Sequence, residues 1–403
     1  MEPSPTHVDV ADVYKGDEIA GRLIRRQDDV VFTYLDEYLD TDLPAVSTTI
    51  PKVRGELMSH GGAVPAFFAG LLPEGRRLVS LQRSLKTSAD DEFSQLIAVG
   101  RDCIGDVRVL PEGADPSPKT GDEPSISLPV EVSFMDLFEQ TLGRGSDDPN
   151  PSVPGVQDKL SDSMLSLPAR QSGGSVILKL SPARVPRLVE NEAFFLGLAQ
   201  QCGLRTPNFS IVVDKTGASG LAVERFDRAL TKGVHTRIAQ EDAVQLAGRW
   251  PASKYRMSAK EVFDAVLTVT PALPVARAQL LRLFVFSYMI GNGDLHAKNV
   301  SVFDMPHGVW SVTPAYDLVS TVPYKDQTMA LQFEGRDSNI KGSMFVGFAE
   351  RLGATEKLVR RIITEVTDQA EPLIEGVDQI GWEGRQTEHL KRTIRERIAD
   401  LRS

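Results

Sequence analysis

The residues best suited to chemistry lie in one segment, Gly291 to Asn299, with the sequence GNGDLHAKN. Asp294 precedes Asn299 by five positions, which is the spacing of the catalytic loop of protein kinases. In that loop the aspartate accepts the proton of a substrate hydroxyl, and the asparagine holds a metal ion through its carbonyl oxygen. A solvated loop of turn-forming residues would show the same pattern, because D-x-x-x-x-N is common by chance.

A second carboxylate follows at a suitable distance. Asp317 ends the sequence Pro-Ala-Tyr-Asp, directly after the strand-like segment 309–312. Magnesium on ATP phosphates prefers oxygen ligands, commonly one or two carboxylates, and Asp317 would occupy the place of the D-F-G aspartate of kinases. Leu318 and Val319 stand where the Phe and Gly of that motif would be. The alternative for Asp317 is an Asx-type turn at a strand end.

An apolar strand upstream carries a lysine. The sequence Val-Ile-Leu-Lys ends at Lys179 and is similar to the V-A-I-K strand of kinases. A lysine in such a strand needs a partner, which ATP phosphates and a helix carboxylate would provide. We predict Glu192 as that carboxylate, with Glu190 as the rival. Alternatively, the lysine lies at a strand edge and reaches water.

Two loops complete the candidate nucleotide site. Ser152 to Lys159 contains a glycine ahead of the lysine strand, where kinases cover the phosphates with backbone N–H groups. It is neither a G-x-G-x-x-G nor a Walker A loop, and Pro154 lacks an N–H. Glu224 to Phe226 lies where a strand-rich half passes into a helical half, and backbone groups of Glu224 and Phe226 could there bind the adenine edge. An ordinary strand would use the same groups for pairing.

The composition indicates a globular protein of two or three domains. The chain has 403 residues, of which 41% are hydrophobic, and a formal net charge of −10. This acidic balance argues against coating nucleic acid or membranes by charge alone, although a local basic patch is compatible with it. Two distant cysteines favour a reducing compartment over a disulfide framework. No signal peptide is evident, and the apolar stretch 280–290 is too short to span a bilayer. We therefore expect a cytoplasmic protein with no membrane partner.

The hydrophobic periodicity predicts the elements that position these residues. Strand patterns occur at 8–35, 107–110, 176–180, 210–214 and 220–226. Helix patterns occur at 64–86 with a break near Pro73, and at 92–99, 134–142, 188–202, 277–290 and 387–401. Residues 111–127 are rich in Pro, Gly, Ser and acids and predict a surface linker. From Gln240 onward the pattern is helical.

Several segments, taken in order, resemble the HipA family of bacterial toxin serine/threonine kinases. They are FFAGLLPEG at 67–75, GRD at 100–102, SVPGVQDK at 152–159, ERFD at 224–227, GNGDLHAKN at 291–299 and PAYDLVS at 314–320. The resemblance extends from about residue 8 to the C-terminal region. It implies an α/β (α+β) fold, in which a small β-rich N-terminal domain packs on a two-lobed protein-kinase-like domain with a helical C-lobe. We expect the N-terminal module at 1–112, a linker with a short helix at 113–147, the N-lobe at 148–228 and the C-lobe at 229–403.

The resemblance also implies ligands, site residues and partners. Asp294 would be the proton acceptor, Asn299 and Asp317 would hold Mg²⁺, and Lys179 would contact the phosphates of ATP. The other residues expected around the nucleotide are Val153, Pro154, Gly155, Val156, Gln157, Glu224, Arg225, Phe226, His296, Ala297, Lys298 and Tyr316. Ser152 matches the serine that family members autophosphorylate. Pro154 departs from the family, where a small residue with a free N–H is usual.

The expected partners are a HipB-like DNA-binding antitoxin, operator DNA bound through that antitoxin, and a protein substrate. The family points to a substrate in translation, with an aminoacyl-tRNA synthetase as the leading candidate. We expect an ATP-dependent serine/threonine kinase that acts as a toxin. Two other functions stay open, a small-molecule phosphotransferase and a non-catalytic co-repressor that only binds antitoxin. Magnesium-dependent ATP turnover would separate a kinase from the co-repressor.

Overall fold

The computed structural model describes residues 4–117, 126–128, 133–142, 163–171, 174–231, 234–305 and 308–403. The predicted phosphate loop, with Ser152 and Val153 to Gln157, lies outside these residues, as do residues 118–125, 129–132 and 143–147 of the predicted linker.

The N-terminal part is an antiparallel five-stranded sheet covered by short helices. Its strand order is β4-β3-β2-β1-β5. The strands are β1 (Val10–Lys15), β2 (Glu18–Arg26), β3 (Asp29–Tyr34), β4 (Leu57–Ser59) and β5 (Val107–Pro111). The helices are α1 (Asp36–Leu39), α2 (Ala66–Ala69), α3 (Gly75–Leu85) and α4 (Glu92–Val99). Phe32, Phe68 and Phe93 fill the core between sheet and helices. The predicted break near Pro73 is confirmed, since α2 and α3 end and begin around it.

A second five-stranded sheet carries the lysine strand. Its order is β6-β7-β8-β10-β9. The strands are β6 (Ser127–Leu128), β7 (Leu165–Gln171), β8 (Gly174–Leu180), β9 (Phe209–Val213) and β10 (Ser219–Glu224). Helix α5 (Phe134–Leu142) precedes β7, and α6 (Leu188–Gln201) follows β8. Strand β8 lies between β7 and β10, so Lys179 is held at a fixed register opposite Leu221. Helix α6 ends before Gly203, whose φ of 77° suits the left-handed position after a helix.

The remaining part is mainly helical, with two small sheets. The strands are β11 (Arg228–Thr231), β12 (Val234–Arg237), β13 (Gln240–Asp242), β14 (Ser301–Met305) and β15 (Val309–Val312). The helices are α7 (Ala243–Leu246), α8 (Ala259–Val269), α9 (Leu273–Ile290), α10 (Gly342–Arg351), α11 (Glu356–Ala370) and α12 (Gly384–Arg402). The helical pattern predicted from Gln240 onward was wrong for Ser301–Met305, which form β14, and for its first residues, Gln240–Asp242. These first residues form β13 because their backbone groups pair with β14, a non-local contact that periodicity does not encode.

Helix α9 is the central helix of this part. It begins at Leu273, earlier than the apolar stretch indicated, and contacts α8, α11 and α12. Within the described residues it is the one helix whose length and composition would suit a membrane span, and 61% of its 18 residues are buried inside the protein. The structure thus accounts for its apolar character as that of a core helix, which here positions the loop that follows it.

Candidate active site

The end of α9 fixes the start of the candidate catalytic segment, Gly291 to Asn299. Gly291 has a φ of 72°, and a Cβ added there would lie 2.4 Å from Cγ2 of Val322. Only glycine fits this turn, because it has neither the side chain nor the backbone restriction of other residues. The buried Asn292 then accepts a hydrogen bond from the Asp294 N–H at 3.0 Å through its side-chain oxygen. The loop is therefore ordered by its own side chains.

Asp294 is held by a tyrosine that the sequence analysis did not identify. The hydroxyl of Tyr255 donates to Oδ1 of Asp294 at 2.7 Å. The Tyr255 ring also packs edge-on against the ring of His296, with centroids 5.0 Å apart. Asp294 itself is only 3% exposed. Tyr255 lies before α8, far from the catalytic segment in sequence, so no local motif pointed to it.

Lys179 meets two carboxylates. Its Nζ lies 2.6 Å from Oε1 of Glu192 on α6 and also contacts Oδ1 of Asp317. Glu190 instead pairs with Arg187 at 3.5 Å. Of the two candidate partners on α6, the structure therefore places Glu192 against the lysine. Lys179 and Glu192 are both buried, at 8% and 1% exposure, so neither can satisfy its charge with water.

Burial and charge pairing shift the pKa values of Lys179 and Glu192 in opposite directions. Burial alone would lower the pKa of Lys179, but the Asp317 and Glu192 carboxylates outweigh it and raise that pKa above its usual value. Burial raises the pKa of Glu192 to about 7, even though the Lys179 ammonium opposes this shift. The lysine therefore stays charged, ready to meet an anionic group.

Asn299 and Asp317 lie together, as the metal-site prediction requires. Nδ2 of Asn299 donates to Oδ2 of Asp317 at 2.8 Å, and Oδ1 of Asn299 accepts the His296 N–H at 3.0 Å. Asp317 has a left-handed φ of 54°, an uncommon conformation that aspartate tolerates better than most residues. No cluster of three or more His, Cys, Asp or Glu side chains suited to a metal occurs within the described ranges. Because the Asn299 amide nitrogen faces the carboxylate, the amide would have to turn its oxygen toward Asp317 for both residues to hold Mg²⁺, which keeps several waters and phosphate oxygens as its other ligands.

A cavity of about 290 Å³ connects Lys179, Asn299 and Asp317 with the hinge segment, Glu224 to Phe226, whereas Asp294 and Glu192 are not part of its wall. Its wall contains Lys179, Glu224, Arg225, Phe226, His296, Lys298, Asn299, Tyr316 and Asp317. Ala297 is fully buried and lies outside this wall, and its N–H donates to the Lys254 carbonyl at 3.1 Å. Burial raises the pKa of Tyr316 well above its usual value, and its hydroxyl donates to the Lys298 carbonyl at 2.7 Å. The cavity brings most of the predicted nucleotide residues to one place.

The hinge residues differ in what they offer to a base. The Glu224 N–H already donates to the Asn208 carbonyl at 2.8 Å. The Phe226 ring contacts the Tyr316 ring, with centroids 5.8 Å apart, and supplies an aromatic surface. The Arg225 guanidinium is occupied by Asp227 at 2.8 Å and by Asp102 at 3.0 Å. Although Arg225 lines the cavity, its charge is thus used to join the hinge to the N-terminal part.

The N-terminal part also contacts the catalytic segment. Nζ of Lys298 donates to the Gly70 carbonyl at 3.1 Å and lies 2.9 Å from Oδ2 of Asp242. Lys254 pairs with Glu74 at 3.4 Å. Segment 67–75 carries one of the family signatures, but nothing in its sequence placed it at the site. The structure shows that it forms one wall of the cavity.

Comparisons with known proteins give a consistent result. The profile described as HipA-like C-terminal domain matches residues 151–374, and the profile described as HipA N-terminal domain matches residues 11–110. A Sinorhizobium fredii protein named "Putative kinase Y4mE" is 34% identical over 389 residues, covering 90% of each chain. The "Serine/threonine-protein kinase toxin HipA" of Shewanella oneidensis is 28% identical over 381 residues, covering 88% of this chain and 86% of that protein.

The solved structures show the same fold. A chain from the Shewanella oneidensis complex of HipA, HipB and operator DNA aligns with a TM-score of 0.73 at 22% identity. The alignment covers 97% of this chain and 96% of that chain, so the likeness includes both the N-terminal part and the kinase-like part.

Proposed function

This chain belongs to the HipA family, and from that premise we propose that it is an ATP- and magnesium-dependent serine/threonine kinase. The observation that carries the proposal is the cluster at one end of the cavity. There Lys179 is paired with Glu192 and Asp317, and Asp317 in turn contacts Asn299. A lysine–carboxylate pair beside an aspartate and an asparagine is the set that kinase-type phosphoryl transfer needs.

Each side chain has a role in the proposed reaction. The Asp294 carboxylate orients the substrate hydroxyl and accepts its proton as the oxygen bonds to the γ-phosphorus and the bond to the β-phosphate oxygen breaks. Tyr255 holds one carboxylate oxygen of Asp294 in place by donating its hydroxyl hydrogen to it. Lys179 neutralises phosphate charge. Asp317 and Asn299 would hold magnesium, which when bound supplies positive charge to the phosphate oxygens.

The biological role follows from the family and extends the proposal. We propose a toxin that is paired with a HipB-like antitoxin and reaches operator DNA through it, in the cytoplasm. The proposed substrate is a translation protein, with an aminoacyl-tRNA synthetase as the first to test, and phosphorylation of Ser152 is the proposed off-switch. The division into a module at 1–112, a linker at 113–147, an N-lobe at 148–228 and a C-lobe at 229–403 is part of the same proposal.

The test is phosphoryl transfer from labelled ATP in the presence of magnesium and a cell extract. We expect labelled protein with the native chain and none with Asp294→Asn, because that change removes the proton acceptor. Asp264→Asn is the matched control, since Asp264 is an exposed residue on α8 that pairs only with Lys260 at 2.5 Å among the described residues. Labelling that survives Asp294→Asn would exclude this mechanism. Absence of any ATP turnover in the native chain would favour the co-repressor function instead.

A further inference from the structure

A second cavity, of about 450 Å³, lies beside the catalytic segment. It is bounded by the first half of α9, the turn after α6, helix α11 and the strands β14 and β15. Asn299 and Ser301 contribute to the walls of both this cavity and the nucleotide cavity. Pro314 and Ala315, which directly precede the Tyr316-Asp317 pair, also line it. A ligand in this second cavity would therefore touch the backbone that positions the proposed magnesium residues.

The wall of the second cavity combines an apolar surface with arginines. The apolar residues of the wall are Leu204, Val275, Leu283, Val300 and Leu358, and most of their accessible surface belongs to Val275 and Leu358, because the other three are less than a tenth exposed. Val275 is 57% exposed, although it is a large aliphatic residue. Ligand pockets are typically lined in this way, with a few polar groups that fix orientation, and their volumes are about 300–1,000 Å³.

The arginines leave the second cavity with excess positive charge. Arg282 and Arg361 share one carboxylate, that of Glu365, and Arg361 lies 3.5 Å from it. Arg205 donates to the Val312 carbonyl at 2.8 Å and, with the Gln279 amide oriented to accept, to that side chain at 2.7 Å. Both of these acceptors are neutral, and within the described ranges Arg205 forms no salt bridge. Three arginines and one glutamate thus give a net charge of two positive units.

We propose that the second cavity is a regulatory site for a small amphipathic monoanion, an aliphatic or aromatic carboxylate. The apolar body of the ligand would cover Leu204, Val275 and Leu283, and its carboxylate would pair with Arg205. Arginine suits this role, because its guanidinium can bind a carboxylate through two parallel hydrogen bonds. The regulatory part rests on the proposed kinase function, whereas the binding part does not.

Coupling between the two sites follows from their shared wall. A ligand in the second cavity would contact Val300 and Pro314. In the chain, Val300 directly follows Asn299, and Pro314 lies shortly before Asp317. Any change that this occupant causes in the affinity for Mg-ATP must be matched by an equal change that Mg-ATP causes in the affinity for the occupant. Two coupled sites differ from one shared site in the limit at saturation: at coupled sites the affinity for the occupant reaches a finite value, whereas at a shared site saturating ATP would displace the occupant completely.

Binding is measured with the full chain, anilinonaphthalene sulfonate as a fluorescent apolar anion, and decanoate as its competitor. We expect decanoate to displace the dye, and Arg205→Met to weaken decanoate binding about tenfold, because a charge-assisted pair is lost. Ala278→Phe should abolish binding by filling the cavity. Arg277→Met, on the same helix but outside the cavity wall, should bind decanoate like the native chain. Thermal unfolding of each variant verifies the fold.

Coupling is measured as the affinity for Mg-ATP with and without saturating decanoate. We expect a change of about threefold or more, matched by the reciprocal change in decanoate affinity, and neither change in Ala278→Phe. Complete displacement of the dye by ATP, equal decanoate binding by native chain and Arg205→Met, or bound decanoate with an unchanged ATP affinity would each overturn the proposal. Failure of ATP turnover in the native chain would instead contradict the kinase function and would leave decanoate binding intact.

Discussion

Replacing Tyr255 with Phe should slow phosphoryl transfer without weakening ATP binding. The change removes a single oxygen, the one that donates to Oδ1 of Asp294 at 2.7 Å. Tyr255 is not part of the wall of the nucleotide cavity, so the KM for ATP should stay within about twofold of the native value. The loss is therefore expected in kcat, because the carboxylate that accepts the proton is no longer held in one orientation.

The size of the effect follows from the type of hydrogen bond. A hydrogen bond to a charged group contributes about 1.5–3 kcal/mol, and about 1.4 kcal/mol corresponds to a tenfold change in rate. If half of that energy positions the carboxylate in the transition state, kcat should fall roughly 3- to 13-fold. Protein stability should fall by about 1.5–3 kcal/mol, the contribution of this one hydrogen bond, because no apolar group is removed.

The pH dependence provides a second readout that a merely structural role would not change. A donor to the charged form of a carboxylate lowers its pKa, so Tyr255→Phe should raise the pKa of Asp294. Because the ionised carboxylate is the proposed proton acceptor, the acid limb of the kcat profile should move to higher pH.

The assay is steady-state phosphorylation of a peptide or protein acceptor from pH 5 to 9, with circular dichroism to verify the fold. Tyr324→Phe is the matched control, since its hydroxyl donates to the Pro186 carbonyl at 2.9 Å and lies outside the nucleotide cavity wall. An unchanged kcat and an unmoved acid limb in Tyr255→Phe would refute the positioning role. A large rise in the KM for ATP would show that Tyr255 acts on the nucleotide instead.

Three further changes test the charged groups of the site. Asp317→Asn should reduce magnesium-dependent ATP turnover at least about 100-fold, because it removes the carboxylate proposed to hold the metal. The fold should be retained, because Glu192 still pairs with Lys179. A variant that unfolds would show that Asp317 has a structural role. Glu192→Gln tests the pKa of Glu192, which burial raises from 4.5 to about 7. Because the folded protein favours the protonated carboxyl, this group stabilises the native chain most below pH 4.5, and that stabilisation is lost as the pH rises through 7. In urea unfolding, the native chain should therefore lose about 3 kcal/mol relative to this variant between pH 4.5 and 8, and parallel curves would contradict the shift. Arg225→Met should destabilise the chain, because Arg225 pairs with Asp102 and Asp227. The loss should be smaller than the roughly 3–5 kcal/mol that an unpaired buried charge costs, since Arg228 still contacts both carboxylates. An unchanged urea midpoint would show that the Arg225 ion pairs do not stabilise the contact between the hinge and the N-terminal part.

Local features of the sequence determined most elements. Helices α4 and α5 have the bounds that their periodicity predicted, and the end of α6 at Gly203 follows from the left-handed conformation that glycine permits. The segment Gly291 to Asn299 was proposed as catalytic from spacing alone, because Asp294 and Asn299 need only a short loop between them. Strand β13 was missed, because its partner strand β14 lies far away in the chain and pairing of this kind leaves no local period.

The contacts that join distant segments were decided by the tertiary structure. The position of Lys179 in an apolar strand indicated that it needs a partner, but only the packing of α6 against β9 and β10, strands of the sheet that contains β8, selected Glu192 over Glu190. Tyr255 approaches Asp294 only because α8 and α9 pack together in the core. The same holds for the N-terminal wall of the nucleotide cavity, where Glu74 meets Lys254 across a junction between two separate cores. Side-chain types and spacing specify which chemistry is available, whereas the distances between those side chains follow from burial of apolar surface throughout the chain.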